Sequence, residues 1–335
     1  MTIQSLSNRP REIGVTEPIE PAYERVKRML FQPFDFTKWI IIGFCAWLAG
    51  LGESGGGGSY GGFNNNNNHG AQPGEQFRHF YNGARDYVLA NLDWIIPVAA
   101  FFIVLFLVIW LLVLWLNSRG KFMFLHCVVW DKAEVDVPWH KYAAAGNSLF
   151  CFRIAVGLAG MVLLLPLLAF GAIDILRMVM HGAPDFAGVM LAIGLVVAFI
   201  LVALFFALIH KLTGDFVVPI MFLRGGTCLA AWRELLGLLT AHPGEFIVYI
   251  LFQIVLQIAI SMIVFVAFVV TCCIACCLVM LPFIGTVVLL PILVFKRAYS
   301  LYYLAQFGPQ YDVFPTPPVP PTAPAQPISP LAAVP

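Results

Sequence analysis

From Phe246 to Phe295 the chain runs fifty residues without an Asp, Glu, Lys or Arg. As one α-helix that run would be about 75 Å long at about 1.5 Å per residue. The hydrocarbon core of a bilayer is only about 30 Å thick. The run must therefore turn back and cross twice, and no soluble domain has a core long enough to hide it. Composition agrees: 60% of the 335 residues are hydrophobic and 11% charged, where soluble domains carry about 25% charged residues. The expected class is all-α, a polytopic membrane protein with about six transmembrane helices plus amphipathic interfacial helices. Backbone groups in lipid must be satisfied within the segment. The alternating ten-residue segments of a β-barrel are not visible.

The six expected spans are about 34–51, 94–117, 149–176, 187–210, 246–270 and 272–295. The first is the shortest and ends in glycines. Orientation follows from Lys and Arg, which favour the cytoplasmic side. With the N-terminus inside, sixteen of the nineteen fall on the inner side, and Arg78, Arg85 and Arg177 on the outer. Both termini are thus expected in the cytoplasm and the protein in the cell (inner) membrane. Residues 1–36 are polar and proline-bearing, so no cleavable signal peptide is expected.

The expected organisation is a cytoplasmic N-terminal segment with an amphipathic helix (1–33), a membrane domain (34–306) and a proline-rich disordered cytoplasmic tail (307–335). Residues 52–75, GESGGGGSYGGFNNNNNHGAQPGE, read as a flexible Gly/Asn-rich outer loop. Within it GESGG matches the G-x-S-x-G spelling, but a nucleophile elbow needs a strand before Ser54 and a helix after it. Residues 75–92 read as an amphipathic connector at the outer interface. The tail could dock an aromatic groove, although a solvated tail explains it as well.

On the inner side a unit recurs. GKFMFLHCVVW (120–130) and GDFVVPIMFLR (214–224) each follow an even-numbered span and open on Gly-x-Phe. Trp139 follows Gly120 by 19 residues, and Trp232 follows Gly214 by 18. Either the membrane domain is an internal repeat, or each return to the cytoplasm independently wants an aromatic amphipathic helix at the headgroups.

The run LPFIGTVVLLPILVFKRAYSLYYLAQFGPQYDVF (281–314), the inner segment 117–154 and the opening FQPFDFTKWIIIGFCAWLAG (31–50) resemble a family of uncharacterised prokaryotic multi-span proteins. That family is similar to the membrane domain attached to some bacterial glycerophosphodiester phosphodiesterases. The resemblance implies a six-helix membrane domain without known chemistry. The related enzymes carry their catalysis in a separate soluble barrel, and no stretch of this chain is long enough to form one.

No catalytic signature fits its required structural context, and no catalytic, cofactor or metal site is expected. His126 and His140 flank the acidic residues Asp131, Glu134 and Asp136, but at wide, loop-bound spacing for a metal. Gln253, Gln257 and Ser261 form one stripe on the fifth span. Interhelical hydrogen bonding explains it, and a solute pathway is the alternative. Arg153, Asp174 and Arg177 lie near the ends of the third span, where snorkelling suffices. Pro166, Pro282, Gly285 and Pro291 predict kinks.

TCCIACC, residues 271–277, holds Cys272, Cys273, Cys276 and Cys277. On a helix they share an arc of about 140°. They read as small thiols packed at a helix contact, as a disulfide at an oxidising outer face, or as a four-thiolate metal site. The expected role is a non-enzymatic accessory or scaffold protein of the envelope. Its alternative is a transporter or channel for a small or lipidic solute. Membrane lipids and a protein partner are the expected contacts. Nothing calls for nucleic acid, and the sequence leaves the oligomeric state open.

Overall fold

The computed structural model describes residues 13–53, 87, 89–181, 186–270 and 282–314. Among them there are helices and no strands. α1 (Ile19–Val26) runs on through a wider π-type turn, Lys27–Phe31. α2 is Phe36–Gly50, started by Asp35, whose carboxylate accepts from the Thr37 and Lys38 amides at 2.8 and 3.3 Å. α3 (Leu92–Trp130) is 39 residues long. The short α4 (Asp136–Lys141) leads into α5 (Ala143–His181). α6 (Phe186–Leu212) passes through a second π-type turn, Thr213–Val217, into α7 (Val218–Arg224). α8 (Cys228–Ala241), α9 (Pro243–Val270), α10 (Pro282–Val288) and α11 (Leu290–Ala305) follow.

Among the described residues four stretches are long and apolar enough to cross a membrane: Leu92–Trp130, Ala143–Arg177, Phe186–Arg224 and Pro243–Ala267. They take in the expected spans 94–117, 149–176 and 187–210 and most of 246–270. α2, on the expected first span 34–51, has only 15 residues, about 22 Å of helix. The expected sixth span, 272–295, begins outside the described residues.

Each long helix has two unlike ends. From Leu92 to Leu112, α3 is almost wholly exposed, and so are the matching lengths of α5, α6 and α9. That stretch of α3 is about 31 Å long, a bilayer thickness. Lipid tails are as apolar as these side chains, so burying them against one another has little driving force. The other end is packed like a water-soluble core. Phe122, Leu125, Phe216, Phe246, Tyr249, Tyr299 and Tyr303 are fully buried there. Rings of the last group pack closely at a tilt: Phe216 to Tyr249 at 4.9 Å, Tyr249 to Tyr303 at 4.6 Å. α2 lies antiparallel along this packed end alone. Lys38 meets Asp131, Cys45 meets Cys127, and Gly52 reaches Val113. Gly120 permits the approach, since a Cβ there would sit 2.5 Å from the Leu48 carbonyl carbon. α2 therefore stops where the exposed apolar stretch of α3 begins.

The recurring unit reappears as element order. α3 ends on Asp131 and α7 on Gly225, both left-handed at φ 56° and 67°. Each is followed by a short helix and then a long one. The two units also touch. Phe222 stacks on Tyr142 at 4.8 Å, and Tyr142 on Phe122 at 6.1 Å. The chain breaks at Leu289 between α10 and α11, with Pro291 in the first turn of α11, where a kink was expected. Pro166 lies inside α5.

Candidate functional site, a charged cluster between two cavities

Glu53, three residues beyond α2, is the centre of the site. Its Oε1 accepts from Lys121 Nζ at 2.6 Å and Arg153 Nη2 at 2.6 Å, and lies 3.4 Å from His210 Nε2. Asn117 fixes the arrangement from both sides. Its amide donates to the carbonyls of Ala49 and Leu51 at 2.8 and 2.6 Å, and its oxygen accepts from Arg153 Nη1. The Arg153 side chain is 7% exposed and that of Lys121 11%. Two cations so far from water need a carboxylate. Burial works against the charge on Glu53, but His210, Lys121 and Arg153 outweigh it and hold the carboxyl well below its usual range.

A second cluster adjoins the first, built by the π-type turn Thr213–Val217. The turn presents the Gly214 carbonyl to Arg297 Nη1 at 2.6 Å. It also presents Asp215, which accepts from Lys211 Nζ at 2.8 Å and from the Tyr249 hydroxyl at 3.0 Å. Such turns leave backbone groups unpaired within the helix and often serve sites. Gln253 is 7% exposed and donates to the Tyr249 hydroxyl at 2.9 Å. Lys296 donates to Gln257 Oε1 at 2.6 Å.

Glu53 and His210 line two cavities at once. The larger, about 400 Å³, lies between α3, α5 and α6. Its walls are Trp110, Val113, Val156, Leu164, Phe206 and Ile209, and its polar floor is Asn117, Arg153, Glu53 and His210. The smaller, about 260 Å³, is ringed by Lys121, Lys211, Lys296 and Arg297, with Glu53 and Asp215.

The sequence placed several of these residues elsewhere. Glu53 was expected in an outer loop, but it shares one level with Lys121 and Arg153 at the packed end. Arg153 was expected to snorkel, yet it is buried in the cluster, because the Glu53 carboxylate and the Asn117 amide offer it closer partners than water. The one available signal was that Arg153 is the sole charge between Lys141 and Asp174. The glutamine stripe divides. Gln253 joins the inner network, Gln257 takes Lys296, and the Ser261 hydroxyl donates to the Gln257 carbonyl of its own helix at 2.8 Å. The histidines and acids near α4 form separate pairs: His126 with Glu134 at 3.9 Å, His140 with Asp136 at 3.4 Å, Lys38 with Asp131 at 3.0 Å. Among the described residues no three His, Cys, Asp or Glu gather as a metal site. Cys272, Cys273, Cys276 and Cys277 lie outside the described residues, as do Ser54 and the rest of the Gly/Asn-rich loop. Cys45 and Cys127 form a contact the sequence did not announce, with sulfurs 3.8 Å apart and both thiols free.

By the length and composition of its helices this is a helical membrane protein with an ionic cluster at one end of the apolar zone. The chain belongs to the DUF7544 family, a family of unknown function, whose model matches residues 14–289. No curated protein and no solved structure matches it.

Proposed function

We propose that the chain is a non-enzymatic integral membrane protein that holds an amphiphile at the edge of the bilayer, as an accessory or scaffold of the envelope. The observation that carries this reading is the 400 Å³ cavity, with apolar walls and a floor of Asn117, Arg153 and His210. It lies where the exposed apolar lengths of α3, α5 and α6 give way to the packed end. An acyl chain fits such walls, and a polar head fits such a floor. We place the protein in the inner membrane with the packed end cytoplasmic, supported by the Lys and Arg residues gathered there. Six passages of the bilayer is the count we propose. The four long apolar helices supply four of them, and the apolar runs 34–51 and 272–295 are the other two. The sequence resemblance of 31–50, 117–154 and 281–314 supports a kinship with phosphodiesterase membrane domains.

Gly157 lines the cavity and has open space where a Cβ would stand. Gly157→Phe should therefore carry its ring into the cavity with no clash at Cβ. Purification in mild detergent followed by lipid extraction tests the reading. Wild type should retain an amphiphile that Gly157→Phe loses. Equal lipid content in the two would refute it. A second reading, passage of a solute, is favoured by the groove of about 420 Å³ between α9 and α11, lined by Gln257, Ser261 and Lys296. Flux into liposomes that Gln253→Leu with Gln257→Leu abolishes would replace the first reading with the second.

A further inference from the structure

The smaller cavity has an excess of positive charge that nothing in it answers. Four cations, Lys121, Lys211, Lys296 and Arg297, face two carboxylates, Glu53 and Asp215. Both carboxylates are already engaged, Glu53 by Lys121 and Arg153, Asp215 by Lys211 and Tyr249. Among the described residues Lys296 has only the neutral Gln257 oxygen as its hydrogen-bond acceptor.

Arg297 sharpens the point. Its Nη1 donates to the Gly214 carbonyl, while Nε and Nη2 are buried and have no hydrogen-bond partner among the described residues. These two N–H groups lie on one edge of the guanidinium, the fork that grips two oxygens of an oxyanion in parallel. A buried donor without an acceptor is costly, and here two share a single side chain. Burial also lowers the Arg297 pKa to about 10, still charged at neutral pH, and lowers that of Lys296.

We propose that this cavity is a phosphoryl-binding site, in which the buried, unpartnered edge of Arg297 takes two oxygens of a phosphate group and Lys121 and Lys296 complete its charge. A carboxylate would suit the fork but answer only one of the two surplus charges, whereas a phosphate monoester answers both. The phosphate belongs either to a free anion or to a lipid headgroup. Both are admitted, because the cavity shares Glu53 and His210 with the larger, apolar-walled one. The inference does not need the amphiphile reading: a protein that binds phosphate but retains no lipid would remove that reading and leave this one standing.

The test uses the full chain, purified in detergent and separately reconstituted in phosphatidylcholine vesicles with and without phosphatidic acid. Inorganic phosphate is titrated calorimetrically into the detergent sample, with acetate as the carboxylate control. Native mass spectrometry reads phosphatidic acid retained from the vesicles. Binding of inorganic phosphate, weakened at least tenfold by Arg297→Gln, supports a free anion as ligand. Retention of phosphatidic acid alone, lost in Arg297→Gln, supports a headgroup. Binding of neither probe, or equal response to acetate, overturns the proposal. Should Arg297→Gln fail to fold, Lys296→Gln serves in its place. Among the described residues its only side-chain hydrogen bond is to exposed Gln257, and undiminished phosphate binding in that variant overturns the proposal equally.

Discussion

Replacing Glu53 with Gln keeps the shape of the side chain and removes one charge. Arg153 and Lys121 then remain buried, 7% and 11% exposed, without the carboxylate that each touches at 2.6 Å. Breaking a fully buried ion pair by removing one partner costs about 3–5 kcal/mol. The Glu53 side chain is 37% exposed, so water compensates part of the loss, and about 2–3 kcal/mol is the expected cost. A loss of that size shifts the unfolding midpoint by several degrees, on the order of 5 °C. Thermal unfolding of the purified protein in detergent, followed by circular dichroism, measures it. The pH dependence carries a second signature. The Glu53 carboxyl is held below its usual range in the folded protein. Its contribution is therefore fully present above the unfolded carboxylate pKa of about 4.3 and is lost as pH falls below that value. Glu53→Gln should lose that part of the acid sensitivity. The double variant Glu53→Gln with Lys121→Met should recover part of the loss, because it removes a stranded cation as well. A midpoint for Glu53→Gln within a degree of wild type would refute the reasoning. So would strict additivity of the two substitutions.

Three further outcomes test the packing around the site. Gly120→Val places a Cβ 2.5 Å from the Leu48 backbone, and should cost more than about 3 kcal/mol in unfolding experiments, because backbone cannot yield as a side chain can. Tyr303→Phe removes a 2.8 Å hydrogen bond to the Glu245 carbonyl and should cost about 1 kcal/mol. Burial pushes the Cys228 thiol up to about 12, so at pH 8 it should react with maleimide far more slowly than after unfolding, as read by site-resolved mass spectrometry.

Reading the sequence located the long helices well because their signal is local. An uncharged apolar run longer than a bilayer is thick must be a helix in lipid, whatever surrounds it. That argument found the cores of α3, α5, α6 and α9 within a few residues. It marked the α2 residues as a span too, and they pack against α3 and α10. Trp39 donates to the Val287 carbonyl at 2.9 Å, and a Cβ on Gly43 would press on the Val287 side chain. Apolar composition alone does not distinguish a partner of lipid from a partner of protein.

The site was less legible for a related reason. Gln253, Gln257 and Ser261 stood out because they repeat along one helix, where spacing alone puts residues on a common face. Glu53, Lys121, Arg153 and His210 come from four separate stretches of chain, and no spacing relates them. Each was visible as a charge or an imidazole near the end of an apolar run, and each had an innocent explanation at the membrane surface. The sequence by itself determined that this chain is helical, where its four long helices run, and that its cations gather at one end. Only the tertiary structure decided which carboxylate those cations meet, and that one edge of Arg297 meets none among the described residues. Helix formation and lipid preference are set by near neighbours along the chain, whereas the pairing of buried charges is set by distances that exist only once the helices have packed.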